Sequence, residues 1–83
     1  MAHEFTINKP DNLSETLLRV SKIFKDNGET FQGDEKSGRF SGKGVAGSYV
    51  VGERGIKITI IKKPLIAPYS MVEGKIKEYF GNA

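Results

Sequence analysis

Cysteine is absent from this 83-residue sequence, and histidine occurs only once, as His3. Without cysteine the chain has no disulfide framework, no thiolate ligand for a metal and no thiol nucleophile. A single histidine close to the N-terminus leaves too few ligands for a metal site built on histidine and cysteine. We therefore expect neither a bound metal nor another cofactor.

Long apolar runs are missing as well. No stretch approaches the roughly 20 apolar residues that a membrane-spanning helix needs. The first ten residues mix polar and apolar side chains and lack the apolar segment of a signal peptide. These absences predict a cytoplasmic protein without a transmembrane segment.

Groups that could act together in catalysis are scarce. The sequence contains six serines, and the only histidine that could serve one of them as a general base is His3. Glu15 and Glu73 each stand three residues after a candidate helix cap, where a capping box would use them to start a helix. Because no acid, base and nucleophile are placed to converge, we predict that the protein is not an enzyme.

Apolar periodicity predicts a strand and two helices. His3–Asn8 alternates polar and apolar residues, as a half-buried strand does. A helix is expected over residues 13–27, where apolar residues recur three and four positions apart after the capping residue Asn12. A second helix is expected to begin at the capping residue Ser70 and to end at Gly81.

Glycine-punctuated strands predict an antiparallel sheet between the helices. Three strands are expected: one at residues 30–33, one that begins at residue 39 and runs through two glycines to residue 51, and one at residues 56–62. The expected fold is a single α+β domain over residues 1–83. It is a two-layer sandwich of order β-α-β-β-β-α, with a mostly antiparallel sheet and two helices on one face.

Positive charge is concentrated in the middle third of the chain. Residues 36–63 contain seven basic residues and one acidic residue, a net charge of +6, whereas residues 1–35 carry four basic and seven acidic residues. This asymmetry raises polyanion or nucleic-acid binding as an alternative function. The candidate residues are Arg39, Lys43, Lys57, Lys62 and Lys63. Tyr49 and Phe40 fall in phase with core valines, so we expect them to be buried and not to stack on bases.

The segment Gly42–Gly47 matches the dinucleotide-binding pattern G-x-G-x-x-G letter for letter. That motif works when a strand precedes it and the N-terminus of a helix follows it. Here the following residues favour a strand, and the acidic residue expected about 20 positions later is missing. We interpret the glycines as a bulge or a strand crossing.

The loop that follows the last expected strand is unusually apolar. One interpretation is that the loop Leu65-Ile66-Ala67-Pro68 closes the open end of the core. The alternative is that it forms an exposed contact, extended by Ile61, which faces outward by strand phase. The candidate contact residues are then Lys57, Thr59, Ile61, Leu65 and Ile66. The partner would be a granule surface, another protein or a second copy of the chain.

Several short motifs together resemble the polyhydroxyalkanoic acid system family, small bacterial proteins linked to storage granules. The motifs are Ile7-Asn8-Lys9 with Leu13 and Arg19-Val20, Phe31-Gln32-Gly33-Asp34, Gly44-Val45-Ala46-Gly47, Ile56–Ile60, and Pro68 with Val72-Glu73 and Ile76. The sequence departs from the family at Asp11, where histidine is usual, and at residues 62–64, where a leucine-rich loop is usual. The resemblance implies an accessory protein associated with polyhydroxyalkanoate granules or their machinery, and it assigns no catalytic residue.

Overall fold

Five strands and two helices make up residues 3–80, the part of the chain that the computed structural model describes. The strands are β1 (His3–Asn8), β2 (Thr30–Gly33), β3 (Ser37–Gly42), β4 (Val45–Val51) and β5 (Gly55–Lys62). The helices are α1 (Leu13–Asp26) and α2 (Tyr69–Tyr79). The predicted α+β fold is confirmed, with one strand more than expected.

The additional strand arises because the chain reverses direction at Lys43 and Gly44. Their φ angles are 53° and 82°. Two successive residues with positive φ form the tight type I′ turn, whose twist matches that of the strands it joins. Gly42 and Val45 pair directly across this turn. The segment that the sequence predicted as one strand is therefore a hairpin of β3 and β4.

The sheet is antiparallel throughout and has the order β1-β5-β4-β3-β2. The first strand of the chain pairs with the last one, which leaves β1 and β2 as the two edges. Gly47 lies opposite Ile60, whereas the preceding Ala46 lies opposite Lys62. Ile61 is thus an extra residue of β5, and this irregularity is a β-bulge.

The first helix covers the sheet with the apolar stripe that the sequence predicted. Leu17, Val20 and Phe24 are buried, and the helix ends one residue earlier than expected. Asn12 occupies the N-cap position as predicted, but its side chain makes no capping hydrogen bond. Its Nδ2 donates to Oε2 of Glu15 at 3.2 Å.

The second helix begins at Tyr69, and the predicted Ser70 cap is wrong. Pro68 occupies the capping position, and no side chain caps the first turn. Because Glu73 lies five positions after Pro68 and not three, it cannot complete a capping box. Its Oε1 lies 3.3 Å from Nε2 of His3 on β1.

The core lies between the two helices and one face of the sheet. Its buried side chains are Ile7, Leu17, Val20, Phe24, Phe40, Tyr49, Ile56, Ile58, Ile60, Val72, Ile76 and Phe80. Tyr49 and Phe40, which the sequence predicted to be buried, are 1% and 3% exposed. The predicted helix stop at Gly81 lies outside the described residues. Because both helices lie on the same face, the opposite face of the sheet is uncovered.

Candidate interaction surface

The glycine hexapeptide is part of the sheet. It forms the β3–β4 turn and then enters β4, and no helix follows it. A Cβ atom on Gly47 would lie 2.6 Å from Cζ of Phe40 and 2.5 Å from the carbonyl oxygen of Thr59. Glycine is therefore required where the Phe40 ring crosses β4. The interpretation as a bulge agrees with the irregular pairing at Ala46 and Gly47.

The uncovered sheet face carries three of the candidate contact residues. Lys57 and Ile61 are exposed and Thr59 is partly buried, as strand phase predicted. A depression of about 630 Å³ lies over the neighbouring strands, and its lining combines serine, threonine and glutamine residues with Arg39, Val50 and Ile61. Val50 and Ile61 are 55% and 63% exposed. The face thus carries polar, basic and aliphatic groups together and is neither a purely apolar surface nor a continuous basic groove.

The basic residues proposed for polyanion binding are spread over two regions. Lys57 Nζ lies 3.3 Å from Oε1 of Glu4, so a carboxylate compensates its charge on the open face. Arg39 projects from β3, which β4 separates from β5. The other three candidates lie at one end of the sheet. They are Lys43 in the β3–β4 turn and Lys62 and Lys63 at the end of β5.

Leu65 and Ile66 project from the loop that joins β5 to α2. Their side chains are 99% and 95% exposed. A tight turn orients them, since the N–H of Ala67 donates to the carbonyl oxygen of Pro64 at 3.1 Å. Ala67 packs against the core, and Pro64 lies beside Gly44. The interpretation that this loop closes the core is therefore wrong for Leu65 and Ile66, whereas Ala67 does pack against the core.

Four lysines lie close to the loop that carries this exposed pair: Lys62 and Lys63 directly precede it in the chain, and Lys43 and Lys75 line the same pocket as Pro64 and Ala67. Lys63 is held by its own contacts, because its Nζ donates to the carbonyl oxygen of Pro64 at 3.3 Å and lies 5.0 Å from the centre of the Tyr69 ring. Across residues 3–80, Lys43, Lys62 and Lys75 have no ion-pair partner. Met71, at the start of α2, is 55% exposed. We call this region the basic–apolar end; its members are Leu65, Ile66, Met71, Lys43, Lys62, Lys63 and Lys75.

A pocket of about 280 Å³ opens beneath the loop, between α2, the C-terminal part of α1 and the β3–β4 turn. Its apolar lining includes Phe24, Phe40, Val45, Val72, Ile76 and Tyr79. The charged residues of its lining are Lys43, Lys75 and Glu29. Glu29 packs against Gly42, and its Oε1 is buried without a hydrogen-bond partner among the described residues. Lys75 and Met71 were not predicted as site residues from the sequence. Their i, i+4 spacing places them together beside the buried stripe of α2.

A third cavity, of about 530 Å³, lies between α1 and the β2–β3 turn. Two residues with shifted pKa values stabilise this turn. The backbone N–H groups of Lys36 and Ser37 donate to Oδ1 of Asp34 at 2.8 and 3.1 Å, and they hold the pKa of that carboxyl below its usual range. The Tyr49 hydroxyl donates to the carbonyl oxygen of Asp34 at 2.8 Å. Burial, together with the nearby Asp34 charge, raises the pKa of Tyr49 to about 12.

The single histidine contributes to packing between β1 and α2. The His3 ring stacks on Tyr69, with ring centres 4.4 Å apart and planes inclined by 19°. Within residues 3–80, no group of three or more histidine or acidic side chains is arranged to hold a metal ion. Over the same range, neither helix has the length and apolarity needed to cross a membrane.

No protein-family model matches this sequence, and neither a curated protein nor a solved structure matches it. The resemblance to the polyhydroxyalkanoic acid system family therefore stays a prediction. On the surface of the described residues, Leu65 and Ile66 of the basic–apolar end are the most exposed of the large hydrophobic side chains.

Proposed function

We propose that this protein is a non-enzymatic accessory protein that attaches to an apolar surface through its basic–apolar end. The observation that carries the proposal is the nearly complete exposure of Leu65 and Ile66, side by side at the tip of a tight turn. Burying a leucine or isoleucine side chain contributes about 1.5–3 kcal/mol. Burial of both at a partner surface would thus supply about 3–6 kcal/mol before the cost of association is subtracted.

The surrounding lysines support attachment to a surface that carries negative charge. Each lysine close to an anionic interface contributes about 1 kcal/mol of attraction. A pair of inserted aliphatic side chains and a cluster of cations provide the two signals that stable peripheral attachment needs. From the family resemblance, the proposed surface is that of a polyhydroxyalkanoate granule or of a protein in its machinery.

Cosedimentation with purified polyhydroxyalkanoate particles tests this proposal. The double variant Leu65→Gln, Ile66→Gln should bind the particles at least tenfold more weakly, because an apolar contact worth more than about 1.4 kcal/mol is lost. The matched control is Leu18→Gln, Val50→Gln, which removes two aliphatic side chains that are 72% and 55% exposed elsewhere. The control should bind like the unaltered chain. Equal binding by all three proteins, or equal loss in both variants, would contradict the proposal.

A second candidate function is binding of a polyanion, including nucleic acid, through the same end. The observation in its favour is the meeting of Lys43, Lys62 and Lys63 at one edge of the molecule. Since Tyr49 and Phe40 are buried, such binding would rest on backbone charge without base stacking. Lys43→Gln, Lys62→Gln should then weaken binding and reduce its salt dependence, while the Leu65, Ile66 double variant should not. A flat salt response would remove this candidate.

A further inference from the structure

We propose that the pocket beneath the loop binds a medium-chain fatty acid or a closely similar anionic amphiphile, with the tail inside and the carboxylate at the mouth. The pocket shares Lys43, Met71 and Lys75 with the basic–apolar end, but Leu65 and Ile66, the side chains that carry the attachment proposal, are not among its lining residues. Its walls come from α1, α2, β3 and β4, so most of its shape is set by regular elements and not by the loop. The inference does not depend on granule attachment.

The size and lining of the pocket suit a hydrocarbon tail. A volume of about 280 Å³ lies near the lower end of the range for ligand pockets. At about 30 Å³ for each water-sized group, it holds roughly nine such groups, which corresponds to a tail of about eight carbon atoms. The floor is built from aromatic and aliphatic side chains such as Phe24, Phe40 and Ile76. Water in such a space finds few hydrogen-bond partners, so an apolar tail displaces it at little cost.

The charges of the lining favour an acid over an amine. Lys43 and Lys75 are exposed and have no ion-pair partner within residues 3–80. Glu29 is the opposing charge, and its Oε1 is buried without a hydrogen-bond partner among residues 3–80. The lining therefore carries two cations and one anion, and a carboxylate at the mouth can accept hydrogen bonds from both ammonium groups. An alkylammonium head group would meet the same two cations as like charges.

Titration of the full chain with carboxylates of increasing length tests the fit of the tail. Butyrate, hexanoate, octanoate, decanoate and dodecanoate are added below their micelle concentrations, and amide shifts are followed by heteronuclear NMR. Affinity should rise by up to about fourfold for each added methylene and level off near eight carbons. The shifts should centre on Val45, Ala67 and Ile76. A rise that continues through dodecanoate, with shifts centred on Leu65 and Ile66, would indicate adsorption to the surface and overturn the inference, as would no binding of octanoate.

The head group is tested by charge variants. Lys43→Gln, Lys75→Gln should weaken octanoate binding by roughly two- to thirtyfold, the range expected for two solvent-exposed ion pairs. The control Lys9→Gln, Lys22→Gln changes the net charge equally at exposed positions outside the pocket and should have no effect.

Two further comparisons separate the alternatives. Octylamine should bind more weakly than octanoate; tighter binding of the amine would show that Glu29 dominates and would overturn the inference. The Leu65→Gln, Ile66→Gln variant should still bind octanoate even where it no longer binds particles. Loss of particle binding and loss of octanoate binding are thus separate results, and the spectra themselves report whether each variant is folded.

Discussion

Replacing Gly47 by alanine should destabilise the fold, whereas replacing Gly74 by alanine should stabilise it, although both changes add the same methyl group. At Gly47 the new Cβ would lie 2.5 Å from the Thr59 carbonyl oxygen and 2.6 Å from Cζ of Phe40. The oxygen belongs to the backbone of β5, so it cannot move without opening the pairing of two central strands. The Phe40 ring is 3% exposed and has little room to turn. Overpacking of this kind costs about 1–3 kcal/mol, and we expect the upper half of that range.

Gly74 provides the opposite case within the same chain. It lies in the interior of α2, is exposed, and has no atom within 4 Å of the position that a Cβ would take. Alanine is favoured over glycine in a helix interior by about 0.5–1 kcal/mol, because it restricts the unfolded chain more. The Gly74→Ala variant should be more stable by about that amount.

Urea unfolding at pH 7, followed by far-ultraviolet circular dichroism, measures both effects. A chain of this length is expected to have a free energy of unfolding of about 4–12 kcal/mol, so a loss of 2–3 kcal/mol moves the midpoint clearly. The slope of the transition should stay constant if only the folded state changes. A Gly47→Ala variant within about 0.5 kcal/mol of the original chain would refute the argument from close packing. So would a shift of both variants in the same direction.

Two further predictions concern pH. Tyr49→Phe should cost about 1 kcal/mol near pH 7, the typical net value of one hydrogen bond. Because the folded-state pKa of Tyr49 is raised from 10.0 to about 12, its contribution is complete below pH 10 and is lost as the pH rises through 12. The free energies of unfolding of the two proteins, measured with urea, should therefore converge over that interval as the contribution of about 1 kcal/mol is lost, and parallel curves would contradict the prediction. The second substitution, Asp34→Asn, tests stability at low pH. Because hydrogen bonds lower the folded-state pKa of Asp34 below its usual 3.8, the contribution of the Asp34 carboxylate to stability is present above pH 4 and is lost as the pH falls further. The variant should show a smaller loss of stability between pH 6 and pH 3 than the original chain, and an equal loss would count against the role of Asp34 in the turn.

Periodicity in the sequence predicted the elements in which buried residues recur at a regular spacing along the chain. The alternation in residues 3–8 gave the bounds of β1, and the apolar spacing of Leu17, Val20 and Phe24 gave the buried face of α1. Both patterns report local geometry, because a strand or helix with one covered face repeats its side-chain directions at a fixed period. The uncovered sheet face followed from the same phase, as the exposure of Lys57 and Ile61 confirms.

Features that depend on contacts between distant residues could not be predicted in this way. The capping pattern assigned Glu73 to the start of α2, but in the fold its Oε1 lies 3.3 Å from Nε2 of His3, 70 positions away. Lysine is an unusual residue at positive φ, so the local residue pattern did not indicate a two-residue turn at Lys43. The positions of Leu65 and Ile66 could not be predicted, because their hydrophobicity alone favours burial. The turn that directs Ala67 toward the core leaves both side chains exposed.

The antiparallel hairpins explain why the charge of the middle third does not form one patch. Pairing of β4 with β5 places Ala46 opposite Lys62, so the start of one strand meets the end of the other at a single edge of the molecule. Three lysines lie together at that edge, beside the short loop that leads to α2. Lys36 lies at the opposite edge. Its carbonyl oxygen accepts a hydrogen bond from the N–H of Val51, next to the turn that contains Arg54. A charge that is continuous in the sequence is thus divided by the register of the sheet, and one part of it lies beside Leu65 and Ile66, the two most exposed large hydrophobic residues of the described part of the chain. We expect this edge to be the binding surface of the protein because its lysines lie near these exposed side chains, more than because of its net charge.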